Sequence, residues 1–540
     1  MYKCPTCGAG LVFDPTTQKL QCLSCRNQYN PEEIEKLRLD QASEVENKQS
    51  QSNEYEAVSY KCSHCGAELI TTDETITTFC SFCRTGTMVD KKFVRKRKPD
   101  FIIPFSISKK ECEDIYIDKI KNSIFAPKSM IEEQEVKKIR GIYMPYWIYN
   151  YKENETNSAK GSRYSHRSGD YKYYDDFSLT TDVDAECNGI IHDATSNFSD
   201  RLSESIAPFS VKEKKEFIPS YLSGFYADNE DVDPGVYIEE SNNIASEYIS
   251  KNLGKDKVYH KYKAKPEVTM ENMEPQLALF PVYFLATKNR REDRISYAVI
   301  NGQTGKIAAD IPIDMGKFIL YSLVLAVPIF IILNILFTFT MGKLIFFSIL
   351  FNIFSMFILS KQNKKIQAIE NNTDDKGVRY KTTKEIDISD KKEKVNQKKK
   401  SIMNDRGIKS LLPILIVLII NIFPMILYAL LEFLVALNIN LPNMFRWIGI
   451  IGIIIVLVIM IIKSVKNYDK DASIYKQALG LIITFAVFCF NPADDIYYYL
   501  AAIVSILLTI LSFFDIVKKY NLYSTRKLPQ LERRGGDENA

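Results

Sequence analysis

KCPTCGAGLVFDPTTQKLQCLSCRNQY at 3–29 and KCSHCGAELITTDETITTFCSFCRTG at 61–86 decide how this chain is read. Each stretch carries two Cys-x-x-Cys knuckles separated by fourteen residues, Cys4, Cys7, Cys22 and Cys25 in the first and Cys62, Cys65, Cys80 and Cys83 in the second. That spacing suits four thiolates closing around one tetrahedral metal ion. The two stretches are copies at an offset of 58, which also superposes Tyr2 on Tyr60, Gly8 on Gly66, Leu11 on Leu69 and Arg26 on Arg84. The pattern predicts two small rubredoxin-like zinc ribbons in tandem, at 1–30 and 58–90, each holding one structural Zn2+.

A ribbon of this size buries too little apolar surface to offset its chain entropy, so the metal must supply the folding free energy. Structural zinc in such peptides contributes roughly 10 to 16 kcal/mol. Four thiolates leave no coordination position for water or substrate, which makes the ions structural and not catalytic. Gly8 and Gly66 directly follow a knuckle and suit a tight turn there. His64 lies inside a knuckle whose cysteines already complete the set, and is read as a non-ligand. Cys112, Cys187 and Cys489, the three of eleven cysteines outside the knuckles, read as small apolar fillers. The opening MYKCPTCGAG shows no apolar signal segment, so reduced, metal-bound cysteines are expected in preference to disulfides.

With 540 residues the chain exceeds what one core fills. Its net charge of +4 and charged fraction of 25% average a polar N-terminal half and an apolar C-terminal half, and describe neither. Residues 31–57 open like a helix at Pro31-Glu32-Glu33 and then become rich in Gln, Ser and Asn, as a linker does. Neither ribbon presents a basic face, so nucleic acid is a disfavoured partner. KKFVRKRK at 91–98 reads as a solvated basic linker.

Residues 99–315 read as a mixed α+β cytoplasmic domain. An amphipathic helix is expected over 106–123 with Ser106 as cap and Ile107, Cys112, Ile115 and Ile120 on its inner face. IRGIYMPYWIYNY at 139–151 reads as a strand, pushed by Pro145 toward an edge or bulge. The alternation over 158–198 suggests a meander. A second helix is expected over 233–254, capped by Asp233, entered by Pro234 and ended at Gly254. A weak internal duplication pairs Phe101-Ile102-Ile103-Pro104 and Met144-Pro145-Tyr146-Trp147 with Phe217-Ile218-Pro219 and Phe280-Pro281-Val282-Tyr283.

From Phe318 onward the chain changes solvent. Apolar runs at 318–340, 344–360, 411–436, 445–462, 478–490 and 496–514 predict six crossings in an all-α polytopic membrane domain, the fifth being short. The domain divides into a transmembrane hairpin at 316–362, a basic cytoplasmic loop at 363–410, four further segments over 411–517 and a cytoplasmic tail at 518–540. Lysine and arginine fall in alternate loops: fifteen in 361–410, four in 463–476 and six after 517, against only Lys343 and Arg446 on the other side. That is the positive-inside pattern of a multi-pass cell-membrane protein with both termini cytoplasmic. Asn334, Asn352 and Asn421 lie deep in the runs, where asparagines usually bridge helices.

NGQTGK at 301–306 has the look of a phosphate loop, but a five-residue turn between two strand-like runs makes it a hairpin. No nucleophile elbow or His-Glu-x-x-His motif occurs, and no enzymatic activity is expected.

The ribbons resemble the transcription-factor-IIB type. Through PDFIIPF at 99–105, IRGIYMPYWIYNY at 139–151 and FPVYFLATKNRR to AVINGQTGKI at 280–307, the N-terminal half is similar to a family of uncharacterised bacterial zinc-ribbon proteins. Members often carry a primosomal helicase-like label, although nothing in this chain matches a helicase motif. Some are membrane-anchored and associated with phage-shock-type envelope-stress proteins, which implies a scaffolding or recruiting role at the cytoplasmic membrane face. The alternatives are a transporter or channel regulated by the ribbons and a nucleic-acid-binding membrane protein, and self-association is left open.

Overall fold

A computed structural model describes residues 2–43, 54–64, 67–71, 79–86, 88–196, 199–255, 257–264, 271–289, 294–336, 341–370, 472–490 and 492–527. Two compact units result: one runs from Met1 to Tyr321 and resumes at Tyr520, the other takes the intervening apolar segments.

The N-terminal ribbon is a three-stranded sheet of β1 (Leu11–Asp14), β2 (Lys19–Cys22) and β3 (Gln28–Tyr29). Asp14 closes the β1–β2 turn, its carboxylate accepting from the Thr16 N–H at 3.0 Å and the Thr17 hydroxyl at 2.9 Å. Leu11, Phe13 and Leu20 are buried on one side of the sheet. There Phe13 meets Tyr221 with ring centres 5.3 Å apart. Helix α1 (Pro31–Ser43) follows, and begins at the Pro-Glu-Glu signal. The Tyr2 hydroxyl donates to Glu35 of α1 at 2.6 Å, and Tyr221 donates to Glu32 at 2.9 Å.

Among the described residues, thirteen strands form one large sheet. Its central order is β10 (Lys215–Glu216), β7 (Phe101–Ile102), β13 (Gln276–Asn289), β8 (Arg140–Ser168), β11 (Tyr226–Asp228), β5 (Glu68–Thr71), β4 (Glu54–Cys62) and β6 (Met88–Arg97). The strands β9 (Tyr171–Asp193) and β12 (Glu271–Asn272) extend β8, while β14 (Arg294–Asn301), β15 (Ile307–Ala309) and β16 (Arg526–Lys527) continue from β13. Two sequence expectations change here. The second cysteine stretch is not a separate knob, because its strands β4 and β5 are members of this sheet. The supposed basic linker 91–98 supplies most of β6, which pairs with β4 from Glu54↔Arg97 to Cys62↔Met88. An edge strand exposes unpaired backbone, and a row of Lys and Arg is one way to keep it from pairing indiscriminately.

Pro145 stands inside the sheet. Its register partner on one side is Leu279 of β13. On the other side β8 pairs with β11 up to Tyr143 and with β9 from Tyr146, and the Pro145 carbonyl accepts from Ala194 N–H at 2.8 Å. A strand residue's N and O point the same way, so the missing N–H falls at this change of neighbour, where no ladder bond is lost. The expected meander is instead one long hairpin, β8 and β9 paired from Tyr146↔Asp193 to Ser168↔Tyr171. Gly169, first in its two-residue loop, takes φ 59°, the sign that tight hairpins require.

Helix α2 (Lys109–Lys121) begins two residues later than expected: Ser108, not Ser106, is the cap, and Glu111 completes a capping box. Bonds from Ser108 N–H and hydroxyl hold the Glu111 carboxyl below its ordinary pKa. Cys112, Tyr116 and Ile120 make its buried face at i, i+4 and i+8. The short helices α3 (Glu133–Val136) and α4 (Asp200–Ile206) and the 3-10 turn Pro234–Val236 lead up to α5 (Ile238–Leu253) and α6 (Lys257–Lys261). Asp233 and Gly254 cap as read from the sequence, although the 3-10 turn precedes the α-helix. The two long strands that carry Met144-Pro145-Tyr146-Trp147 and Phe280-Pro281-Val282-Tyr283, β8 and β13, lie antiparallel side by side. The core between α2 and the sheet centres on Phe105, stacked on Phe225 at 4.3 Å and tilted against Tyr283 at 4.8 Å.

The apolar segments form four described helices, α7 (Met315–Leu336), α8 (Met341–Glu370), α9 (Ala472–Phe490) and α10 (Ile496–Ser524); the start of α7 up to Tyr321, the end of α8 from Ala368 and the end of α10 from Tyr520 belong to the first unit. Three, α7, α8 and α10, are long and apolar enough to cross a membrane, and α9 carries a shorter apolar stretch. The expected crossings at 411–436 and 445–462, with Asn421, lie outside the described residues. Asn352 of α8 donates to the Ser505 hydroxyl of α10, and Thr509 of α10 donates to Gln477 of α9 at 3.4 Å.

Candidate metal centres

Four backbone turns of the same make position the cysteines. Cys4 N–H donates to the Ala9 carbonyl, Cys22 to Asn27, Cys62 to Ala67 and Cys80 to Thr85, at 2.7, 2.9, 2.9 and 2.9 Å. Each bond spans five residues and folds a Cys-x-x-Cys pair back on itself. A second bond tightens three of the turns, from Gly8 N–H to the Cys4 carbonyl, Arg26 to Cys22 and Arg84 to Cys80. The closing residue takes the left-handed conformation, with φ 73° at Gly8, 61° at Arg26 and 62° at Arg84. Glycine at this position was legible from sequence. The two arginines, aligned by the offset of 58, adopt the same backbone despite the Cβ cost.

In the first centre the four sulfurs of Cys4, Cys7, Cys22 and Cys25 all lie within 4.8 Å of one another. Cys4 and Cys25 Sγ are 3.6 Å apart and Cys7 and Cys22 Sγ 3.4 Å, far beyond a disulfide bond. A tetrahedron of sulfurs about 2.3 Å from a metal has edges of about 3.8 Å, so the constellation fits a metal ion. The Tyr29 hydroxyl, 3.5 Å from Cys4 Sγ, lowers the Cys4 thiol to about 6. The Asn27 N–H favours the Cys25 thiolate, but partial loss of hydration at its sulfur and the neighbouring Cys22, Cys7 and Cys4 sulfurs push that thiol up to about 12. Four sulfurs this close cannot all ionise without a cation among them. Cys7 and Cys25 are exposed, so one side of this centre faces solvent.

The second centre brings Cys62, Cys80 and Cys83 together, with Cys62 and Cys83 Sγ at 3.5 Å. Cys65, the fourth expected ligand, lies outside the described residues. All three described cysteines are buried and belong to the core cluster that includes Leu69, Phe82, Ile142 and Phe284. Phe82, between two of them, packs on Phe284 at 5.2 Å, and its carbonyl accepts from the Tyr297 hydroxyl at 3.1 Å. His64 is exposed.

Two charged contacts around this centre carry no sequence signal. Arg84, which closes the Cys80–Cys83 turn, forms an ion pair with Glu135 of α3. Burial alone would raise the Glu135 carboxyl, but its bonds to Arg84 and Lys138 prevail and hold it below the usual carboxylate range. The guanidinium of Arg140 lies 3.8 Å from the Phe79 ring centre, with one buried nitrogen, Nη1, lacking a hydrogen-bond partner. Burial lowers the Arg140 pKa, and Tyr226 and the Cys80 thiolate pull it back up. A metal held by four thiolates carries excess negative charge, and a buried arginine beside it is the counter-charge such a centre needs.

Fold and site together define an α+β protein with two cysteine clusters able to hold metal ions and three helices suited to crossing a membrane. It shares 30% identity over 324 residues with the uncharacterised protein YdjG of Bacillus subtilis, an alignment covering 58% of this chain and 91% of that protein. The chain belongs to the YdjG family. No protein-family model matches it, and no solved structure does.

Proposed function

We propose that this chain is a non-enzymatic membrane scaffold, in which a zinc-stapled α+β platform on the cytoplasmic face recruits protein partners. Two Zn2+ ions, one on Cys4, Cys7, Cys22 and Cys25 and one on Cys62, Cys65, Cys80 and Cys83, serve as folding staples. Closed sets of four thiolates have no position for catalysis. The resemblance to membrane-anchored zinc-ribbon proteins points to phage-shock-type envelope-stress proteins as the partners.

The observation that carries this reading is how the platform grips the chain on both sides of the apolar segments. Ile313, just before α7, is hydrogen-bonded by the side chain of Asn521, near the end of α10. Arg294 of β14 donates to the Leu522 and Thr525 carbonyls at 2.6 and 2.9 Å. The platform thus holds the chain just before the first apolar helix and at the end of the last described one. The alternatives gain less support. Asn352 and Ser505 bond to each other, as helix-bridging groups do. The basic strand β6 has acids beside it, with Arg95 near Glu56 and Lys96 near Glu68, and Lys98 just after the strand lies near Glu216.

The test is native co-purification from membranes in mild detergent. Cys4→Ser combined with Cys62→Ser should abolish partner recovery while the chain still inserts; recovery equal to the unaltered protein would sink the proposal.

A further inference from the structure

The β8–β9 hairpin leaves the body of the platform. Its inner part is covered by α5, and further out Tyr259, Tyr262 and Ala264 close over Ala159 and Phe177. Backbone contact on the β8 side ends with Ser162 N–H donating to the Tyr262 carbonyl at 2.7 Å. Beyond that point, among the described residues, the ribbon pairs only with itself. Tyr164, Tyr173 and Tyr174 are about half exposed, and Tyr171 is 75% exposed. A lone two-stranded ribbon is marginally stable in water, and β9 pairs with no strand but β8 among the described residues. Its outer edge over Tyr171–Phe177 therefore presents unpaired N–H and C=O groups, a template for another strand.

The residues on that edge specify the strand. We propose that β9 pairs antiparallel with β9 of a second copy of this chain, about a two-fold axis at Tyr174. In this register Tyr174 faces its own copy, Lys172 lies opposite Asp176 on both sides of the axis, and Tyr171 lies opposite Phe177. Alternation keeps each pair on one face: Lys172, Tyr174 and Asp176 on one, Tyr171, Tyr173, Asp175 and Phe177 on the other. Charge selects the register. Centring on Lys172 opposes two lysines, and centring on Asp175 or Asp176 opposes two aspartates, which destabilises a pair. Centring on Tyr174 forms two Lys–Asp pairs and joins aromatics across the seam, the contacts that stabilise antiparallel strands. So short a seam is weak in dilute solution, and confinement of two chains to one membrane raises their effective concentration.

Tyr174→Cys in the full-length membrane-embedded protein tests this pairing. Opposed Cβ atoms in such a ladder are about 4.5–5.5 Å apart, within reach of a disulfide after mild oxidation. Ser178→Cys is the control, since its two copies would lie about 27 Å apart along the strands. A covalent dimer above the unaltered background is expected for Tyr174→Cys and not for Ser178→Cys. Adding Lys172→Asp should cut that dimer about fivefold or more, and adding Lys172→Asp with Asp176→Lys should restore it. Absence of the Tyr174→Cys dimer overturns the proposal. Loss without rescue by the double exchange also overturns it, because the Lys172–Asp176 pairing that defines the seam is then absent.

Discussion

Asn521 forms both available backbone bonds to Ile313: its Oδ1 accepts from the Ile313 N–H at 2.7 Å and its Nδ2 donates to the Ile313 carbonyl at 2.8 Å. One carboxamide thus stands in for a strand residue where no strand is present. Beside it, the Tyr520 hydroxyl donates to the Ile311 carbonyl at 3.3 Å. Asn521→Leu keeps the side-chain volume and removes both partners from Ile313. Each half-buried group left unpaired costs about 1 kcal/mol, so the detergent-purified protein should melt a few degrees lower and become open to protease near residue 313. Unchanged melting and cleavage would show that the bridge contributes nothing.

The same pair constrains topology. On the proposed reading of the apolar runs as membrane segments, a chain that leaves the platform after Ile313 and is bonded back to it at Asn521 would cross the bilayer an even number of times. The six runs in the sequence satisfy that condition only if α9 crosses too. Its apolar stretch, Lys476–Phe488, rises only about 20 Å, so a crossing here needs the rest of the 19-residue helix to complete the roughly 30 Å core. Epitope tags at the two termini should share one accessibility to protease in sealed vesicles, and a thiol probe placed at Ala493 should react from the opposite side. Tags on opposite faces would break the argument.

The two metal centres should differ in consequence. The first is a small sheet with one side in solvent, whereas the second is continuous with the large sheet through β4 and β5. Two zinc ions per chain are expected by elemental analysis, with one retained in Cys4→Ser/Cys22→Ser. That variant should keep the main cooperative unfolding transition. Cys80→Ser/Cys83→Ser should lose it, because the zinc free energy of roughly 10 kcal/mol or more is there coupled to the platform. Equal effects would contradict the structural distinction.

How much of this was readable beforehand depends on whether the information was local. The Cys-x-x-Cys knuckles, the caps at Asp233 and Gly254 and the apolar helices all depend on residues a few positions apart, and the offset of 58 is visible because the repeated residues are identical. What stayed hidden was non-local. Nothing near residue 91 says that its lysines will find Glu54–Cys62 as a strand partner, and a charge run by itself reads as a linker. Pro145 reads as an edge residue until its neighbours β11 and β9 are seen to meet beside it. The Arg84–Glu135 pair joins residues 51 positions apart.

That pair makes a pH prediction. The Glu135 carboxyl is held below its ordinary range in the folded protein, so its stabilising contribution is present above the unfolded carboxylate pKa of about 4.3 and is lost as pH falls through the lower folded value. Glu135→Gln should therefore destabilise the protein at neutral pH, on the order of 2 kcal/mol, by leaving Arg84 largely buried without its carboxylate. The gap between the variant and the unaltered protein should close below about pH 4. A gap that persists unchanged into acid would mean that the loss comes from packing.

The turn at NGQTGK carries the last prediction, since its phosphate-loop look gives way to a packing role. Gly302 N–H donates to the Pro281 carbonyl at 2.8 Å, and its own carbonyl accepts from Ser106 and Ile107 N–H at 2.9 and 3.0 Å. A Cβ on Gly302 would fall 2.5 Å from the Phe105 ring and 2.9 Å from Pro281 Cβ. Phe105 cannot yield easily, because Phe225, Tyr143 and Tyr283 surround it. Gly302→Ala should therefore cost about 1–3 kcal/mol, the usual range for overpacking. Gly305→Ala supplies the comparison. It meets only the flexible ends of Ile107 and Ile115 at 3.1 Å, and its penalty comes from φ 76°. Adding Phe105→Leu should recover part of the loss in Gly302→Ala and none in Gly305→Ala, measured as melting temperature. Equal rescue of both would show that backbone conformation, and not contact with Phe105, explains the glycine at 302.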